Sequence, residues 1–272
     1  MRRALPLSPQ VFSILSGLIE EQLGLHFGPD QLGLLADKLS PRVLDRGFES
    51  MLDYYYFLRY DPEGPAELGA LADALTVNET YFFREATQVA ALIEEQVASL
   101  ISAGRRPRIW CAACATGEEP LSLAAMLDER GWLAQVDIVA SDLSPRVLAA
   151  AQRGLYSGRA LRAFAHPPAW LQPEGEAYRV SKRLRDAIEW RQVNLVDSPA
   201  VRKLGRFDAI ICRNVMIYFR DETTKLLAAR LHDALVDDGL LLVGVSESLL
   251  RVGTSFVCEE RRGAFFYRKA AS

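Results

Sequence analysis

The chain has 272 residues, with 32 basic against 35 acidic side chains and a formal net charge of −3. Half of it is hydrophobic and a quarter charged, which excludes a disordered chain and allows one large domain, or one with a smaller companion, around a sizeable core. Near-neutral charge argues against a general nucleic-acid binder, and no apolar run approaches the roughly 20 residues that cross a bilayer. Pro6, Pro9 and Gln10 interrupt the apolar stretch that a secretion signal would need after Arg2 and Arg3. Four cysteines in this length make no disulfide framework, so a cytosolic, cytoplasmic protein is expected.

From Ser8 to about Gly104 the apolar period is helical. Val11, Phe12, Ile14, Leu15, Leu18 and Ile19 recur at three- and four-residue intervals, with Ser8-Pro9 as cap and first-turn proline and Gly24 as the stop. Asp30 to Gly47 repeats the pattern, with Pro41 expected to kink or break it. Ser50 to Tyr60, Ala66 to Leu75 and Ala86 to Ser102 read as three more helices, separated by the Asp61-to-Pro65 loop. No strand is predicted in this first third.

At Arg108 the grammar changes. Short apolar runs at 108–112, 136–142, 188–194, 207–212 and 240–245 alternate with helical stretches at 119–131, 144–154 and about 223–237, and Gly239 is taken as the stop of the last helix. Such alternation predicts a parallel sheet with crossover helices. Phe256 to Glu260 and Ala264 to Arg268, flanking Arg261-Arg262-Gly263, predict a closing antiparallel hairpin. Residues 156–187 are too long for a simple connection. Between Arg146 and Arg191 there are nine basic and four acidic residues, against seven and thirteen in residues 1–90. Such a basic lobe is by default a solvated surface, and the sharper reading is a docking face for an acidic partner.

The turn Cys111-Ala112-Ala113-Cys114-Ala115-Thr116-Gly117-Glu118-Glu119 joins the first strand to its helix, where open parallel sheets bind ligands. Small residues there let a ligand approach the backbone. No phosphate-binding glycine pattern is present, and two glutamates stand where a phosphate would need neutral or positive surroundings, so the turn suits a cationic, hydroxyl-bearing ligand without phosphate. S-adenosylmethionine has that chemistry. Asp142, ending the second strand, is placed either to accept ribose hydroxyls or to cap the next helix, where Ser144 competes. Asn194-Leu195 ends the third strand, suited to an adenine amino group and ring face, or to plain strand termination. The C-x-x-C of Cys111 and Cys114 has no second pair, and His26, His166 and His232 do not cluster, so no metal is expected. Gly244-Val245-Ser246-Glu247-Ser248 lacks the final glycine of a hydrolase elbow.

Asn78-Glu79-Thr80-Tyr81-Phe82-Phe83-Arg84-Glu85, Ala115 to Pro120, Ala140-Ser141-Asp142, Phe207 to Phe219 with Arg213-Asn214-Val215-Met216-Ile217-Tyr218, and Gly244 to Leu249 occur in the order of one family. With these blocks the chain, from about residue 8 to 268, resembles the CheR-type chemotaxis receptor (protein-glutamate) O-methyltransferases. The resemblance implies an α/β fold: a Rossmann-like S-adenosylmethionine-dependent methyltransferase sheet (87–272), an N-terminal all-helical domain (1–86) and a small inserted β-subdomain at about 156–187. It implies methyl transfer from S-adenosylmethionine to glutamates in the cytoplasmic helical region of methyl-accepting chemoreceptors, leaving S-adenosylhomocysteine. Cofactor contacts map onto Asn78, Thr80, Arg84, Glu118, Asp142, Asn194, Leu195, Arg213 and Asn214. Leu171 to Glu176 is shorter than the loop with which some relatives grip a receptor's tail peptide, which speaks against tail binding. A monomer without membrane insertion is expected.

Glutamate, with a pKa of about 4.3, is ionised at neutral pH and needs no strong base, so the site has to align and desolvate it. Tyr218 and Arg84 are the candidates to orient it, and the basic lobe is a candidate to steer Glu-rich receptor helices. Two alternatives remain open at this stage. A nucleic-acid methyltransferase is disfavoured by charge and by Arg213-Asn214-Val215-Met216 where an Asn/Asp-Pro-Pro-aromatic turn is usual. A non-catalytic receptor-binding adaptor is the other.

Overall fold

The computed structural model describes residues 4–76 and 79–271. It divides into two compact units, one of Met1–Val77 with Tyr218–Thr223, the other of Asn78–Ile217 with Thr224–Ser272.

The first unit is helical. α1 (Pro9–Leu23) starts at Ser8, whose hydroxyl accepts the Val11 N–H, and stops at Gly24 in the left-handed region. α2 (Leu32–Asp45) passes through Pro41 without breaking, contrary to the sequence expectation. Proline removes one hydrogen bond but keeps a helical φ, and Leu35, Leu39 and Val43, fully buried on one face, hold the turns on either side. α3 (Met51–Tyr60) is capped by Ser50, and α4 (Gly64–Leu75) buries Glu67 at its start. Glu67 is 3% exposed, accepts the Tyr54 hydroxyl at 2.7 Å and pairs with Arg42, so its charge is met on both sides. The late segment Tyr218–Thr223 joins this unit: the His26 N–H donates to the Tyr218 carbonyl at 2.9 Å, and Arg220 reaches His26 Nδ1 and Glu20.

The second unit carries a seven-stranded sheet in the order β6-β2-β1-β7-β8-β10-β9. Helix α5 (86–102) leads into it and contains a π-helical turn at Ile93–Val97. Then come β1 (Arg108–Ala112), α6 (Glu118–Glu129), β2 (Asp137–Asp142) and α7 (Pro145–Arg153), followed by β3 (Leu155–Tyr156), β4 (Leu171–Glu174), β5 (Ala177–Val180) and α8 (Lys182–Asp186). β6 (Ile188–Gln192), α9 (Ser198–Lys203), β7 (Phe207–Cys212), α10 (Asp221–Ala234), β8 (Leu235–Leu242), β9 (Phe256–Arg261) and β10 (Ala264–Lys269) complete it. β6, β2, β1, β7 and β8 run parallel, and β10 and β9 close the sheet antiparallel. All six residues of β7 are buried, as in a sheet covered on both faces. The Phe256–Lys269 hairpin turns on Arg262-Gly263, as its sequence predicts.

Gly239 is not the stop of α10. That helix ends at Ala234, and Gly239 lies inside β8, where the register against β7 slips: Leu235 faces Phe207, but Leu240 faces Ala209. The extra residues make a bulge with Asp238 at φ 59°.

β3, β4 and β5 form a separate antiparallel sheet, β3-β5-β4, and β4 returns as β5 through the two-residue turn Gly175-Glu176. An aromatic cluster lies beside it, with Phe82 4.8 Å from Tyr156, 5.9 Å from Phe164 and 5.5 Å from Trp170 between ring centroids. At least five of the nine basic side chains counted between Arg146 and Arg191 are paired with carboxylates: Arg162 with Glu79, Arg179 with Glu174, Lys182 with Asp186, Arg183 with Asp128, and Arg191 with Glu189. These charges are thus met locally. Among the described residues, no helix is long and apolar enough to cross a membrane.

Candidate active site

The β1–α6 turn is bent tightly. Ala113, Ala115 and Gly117 have φ of 57°, 46° and 93°, so every second residue is left-handed. Each alanine so placed costs about 1 kcal/mol, a strain that persists only where the surroundings impose it. Those surroundings are visible. The Cys114 N–H donates to the Ser141 carbonyl, the Ala115 N–H to Asp142 Oδ2 at 2.8 Å, and the Tyr156 hydroxyl to the Thr116 carbonyl at 2.6 Å. Gly117 is required twice over, since a Cβ there would lie 2.7 Å from the Ala151 Cβ as well as straining the backbone. Cys111 and Cys114 are buried, and burial pushes both thiols well above their usual pKa, the reverse of a reactive pair. Among the described residues no group of three or more His, Cys, Asp or Glu could hold a metal.

Glu118 opens α6 and is only 3% exposed. Burial raises its pKa, against the Thr116 hydroxyl that donates to it at 2.7 Å and the backbone of the helix start. Asp142, 8% exposed at the end of β2, accepts the Ala115 N–H through one oxygen and the Ser144 N–H at 3.0 Å through the other. Ser144 is the cap of α7. Asp142 therefore fastens the ends of β1 and β2 to each other. Its carbonyl accepts the Val193 N–H, which brings up the segment after β6, where Asn194 Oδ1 accepts the Val196 N–H and Leu195 is buried. Glu118, Asp142, Asn194 and Leu195 thus gather at the carboxyl ends of β1, β2 and β6.

Arg213 follows β7 with its side chain 3% exposed. The guanidinium donates to Glu119 at 2.7 Å, to Glu85 at 3.3 Å and to the Arg84 carbonyl at 2.9 Å. Burial works against the Arg213 charge, but Glu119 and Glu85 outweigh it and its pKa is raised. Burial also raises Glu119, and Arg213 pulls it back. The Arg213 side chain is thereby committed to the 84–85 segment and to the start of α6. Arg84 donates to the Glu79 carbonyl at 3.0 Å, and Thr80 is half-buried beside it in sequence. Asn78 lies outside the described residues.

Asn214 is left-handed at φ 59°, and one residue that the sequence reading gave no role holds it so. Glu247, 9% exposed, accepts four backbone N–H groups: Asn214 at 2.7 Å and Gly244 at 2.8 Å on Oε2, Val215 at 2.9 Å and Met216 at 2.7 Å on Oε1. A Cβ on Gly244 would come within 2.8 Å of the Asn214 amide and 2.9 Å of Glu247, so the glycine is part of the clasp. Its sequence signals were its place in the Gly244–Leu249 block and a carboxylate between two serines just past a strand, neither of which gave it a role. Tyr218 belongs to the helical unit and the other described candidates to the sheet unit.

Residues 10–76 match the family described as CheR methyltransferase, all-alpha domain, and residues 78–264 match CheR methyltransferase, SAM binding domain. The chain is 33% identical to chemotaxis protein methyltransferase 2 of Vibrio cholerae over 92% of its length and 89% of that protein's. It is 34% identical to chemotaxis protein methyltransferase 1 of Pseudomonas aeruginosa, covering 88% and 90%, and 34% identical to a chemotaxis protein methyltransferase of Klebsiella aerogenes, covering 94% and 89%. With both parts matched in the order in which it carries them, the chain belongs to the CheR family of S-adenosylmethionine-dependent methyltransferases.

Proposed function

We propose that the protein methylates glutamate side chains of chemoreceptors in the cytoplasm, forming methyl esters. The observation that carries this reading is the near-full-length match to chemotaxis protein methyltransferases on a chain that buries Glu118 and Asp142 past the carboxyl ends of β1 and β2. When bound, S-adenosylmethionine supplies a methyl group on a sulfonium: an O–CH₃ bond forms as the S–CH₃ bond breaks, the electron pair passes to sulfur, and no proton moves.

The residues present fit this cofactor. Two buried carboxylates, Glu118 and Asp142, repel a phosphate and accept hydroxyl or ammonium donors. Asp142 is assigned to the ribose hydroxyls and Asn194 and Leu195 to the adenine. Glu118, Thr80, Arg84, Asn78 and the backbone of Arg213 and Asn214 are assigned to the remainder. Burial holds Glu118 partly against ionisation, and hydrogen-bond donors arriving with the ligand relieve that cost.

Tyr218 and Arg84 are assigned to orienting the substrate carboxylate. Neither acts as a base, because the nucleophile is already ionised. An arginine held tightly on that carboxylate would stabilise the ground state, so Arg84 works best as a border of the site. Labelled methyl transfer to soluble receptor fragments, with mass-spectrometric mapping, tests the reading. Base-labile esters on glutamates are expected, and Tyr218→Phe is expected to lower kcat about tenfold at saturating cofactor. Label on any other residue type contradicts the glutamate assignment, and an unchanged Tyr218→Phe rate removes Tyr218 from it.

A further inference from the structure

The two loops clasped by Glu247 carry an unusual surface. Leu250 and Val245, at 70% and 67% exposure, are more exposed than any other large apolar side chain among the described residues except Tyr60 at 72%, and Ile217 is 54% exposed. Val245 follows Gly244 and Ile217 follows Met216. Both of those neighbours donate their N–H to the Glu247 carboxylate, so the two apolar side chains spring from backbone drawn to one point. Leu250 follows Leu249, which is buried and donates its N–H to the Tyr267 hydroxyl at 3.0 Å. Anchored backbone on this scale keeps the three side chains from folding back onto the protein. In residues 214–217 and 244–250 the only charged side chain is Glu247, and it is turned inward. Apolar side chains kept in water on two clasped loops mark a contact surface. It stands on the loops that follow β7 and β8, the first of which carries Arg213 and Asn214.

We propose that Ile217, Val245 and Leu250 form an apolar rim that takes the non-polar flank of the protein segment presenting the glutamate. This rests on the function proposed above and says how the substrate is held. The occupant follows from the chemistry. A carboxylate oxygen attacks carbon only after losing its water, so the site has to exclude water around it. A segment that lays apolar side chains on the rim shuts water out on the side where its carboxylate enters. An all-polar acidic segment has nothing to place there.

The test is the double variant Val245→Ser, Leu250→Ser, assayed with a soluble receptor fragment and titrated with S-adenosylhomocysteine. The fragment's KM is expected to rise about tenfold or more, with kcat and product affinity within about twofold of the parent. Val245→Ile with Leu250→Met, which keeps the apolar character, is expected to restore KM. Unchanged product affinity shows that the variant is folded. A parent enzyme that turns over while the serine variant keeps its KM overturns the rim and leaves the glutamate reading standing. A parent that methylates no fragment overturns both. If sedimentation shows the parent as a dimer and the serine variant as a monomer with the parent's KM, the rim is a contact between two copies and the proposal fails.

Discussion

Replacing Glu247 by glutamine is expected to destabilise the protein by about 2–4 kcal/mol and to weaken S-adenosylhomocysteine binding at least about tenfold. The substitution keeps the shape of the side chain but exchanges one acceptor oxygen for an NH₂ group. Whichever way the amide is turned, that NH₂ faces two backbone N–H donors, either Asn214 and Gly244 or Val215 and Met216. A buried donor left without a partner costs about 1–3 kcal/mol, and two such losses at one point are not fully additive. The binding effect follows from geometry. Asn214 sits at φ 59° because the clasp holds it there, and once released it relaxes toward the ordinary region and carries the segment after β7 with it. Urea denaturation and calorimetry measure the two effects. A variant with the parent's midpoint would show that the four bonds are not what fixes this loop.

Arg213→Met is expected to cost about 3–5 kcal/mol at neutral pH, because it removes the buried cation between Glu119 and Glu85 and takes from Glu119 the hydrogen-bonded partner of its charge. The loss depends on pH in a definite direction. Burial already holds the Glu119 pKa above its ordinary value while Arg213 pulls it down, so without Arg213 it rises further. A carboxyl whose folded pKa is raised contributes stability below its unfolded pKa and loses that contribution as pH rises through the folded value. The variant is therefore closest to the parent in mild acid, near the ordinary glutamate pKa, and falls away from it as pH rises. Adding Glu119→Gln to Arg213→Met is expected to return part of the stability and flatten the pH dependence. A deficit that stays constant with pH would mean that the Glu119 charge is not what Arg213 neutralises.

These two residues also mark what a sequence can and cannot convey. Local grammar was readable: Ser8, Ser50 and Ser144 each cap the helix they precede, because a serine ahead of a helix satisfies an N–H with no intrahelical partner. The closing hairpin and the alternation of strands and helices were legible for similar reasons of period and turn chemistry. Pro41 and Gly239 misled, since tertiary packing holds a proline inside α2 and a bulge places the glycine within β8. In the site, Glu118 and Asp142 could be found from their places at strand ends. Arg213 could be placed through its family block, but the carboxylates it pairs with, 94 and 128 residues away, could not, and neither could the three N–H groups that Glu247 takes from 31–33 residues away; only the folded sheet brings them together.

A direct measurement is a calorimetric titration of S-adenosylhomocysteine into the parent and into Glu118→Gln, with a urea midpoint for each. Glu118 has a raised pKa, so at neutral pH its ionised form works against the fold, and glutamine is expected to leave the midpoint unchanged or higher. Affinity is expected to move the other way, falling roughly 10- to 100-fold with the loss of a charged acceptor. A glutamine variant that binds the product as tightly as the parent, or a parent that does not bind it at all, would contradict the assignment of this crevice to the cofactor.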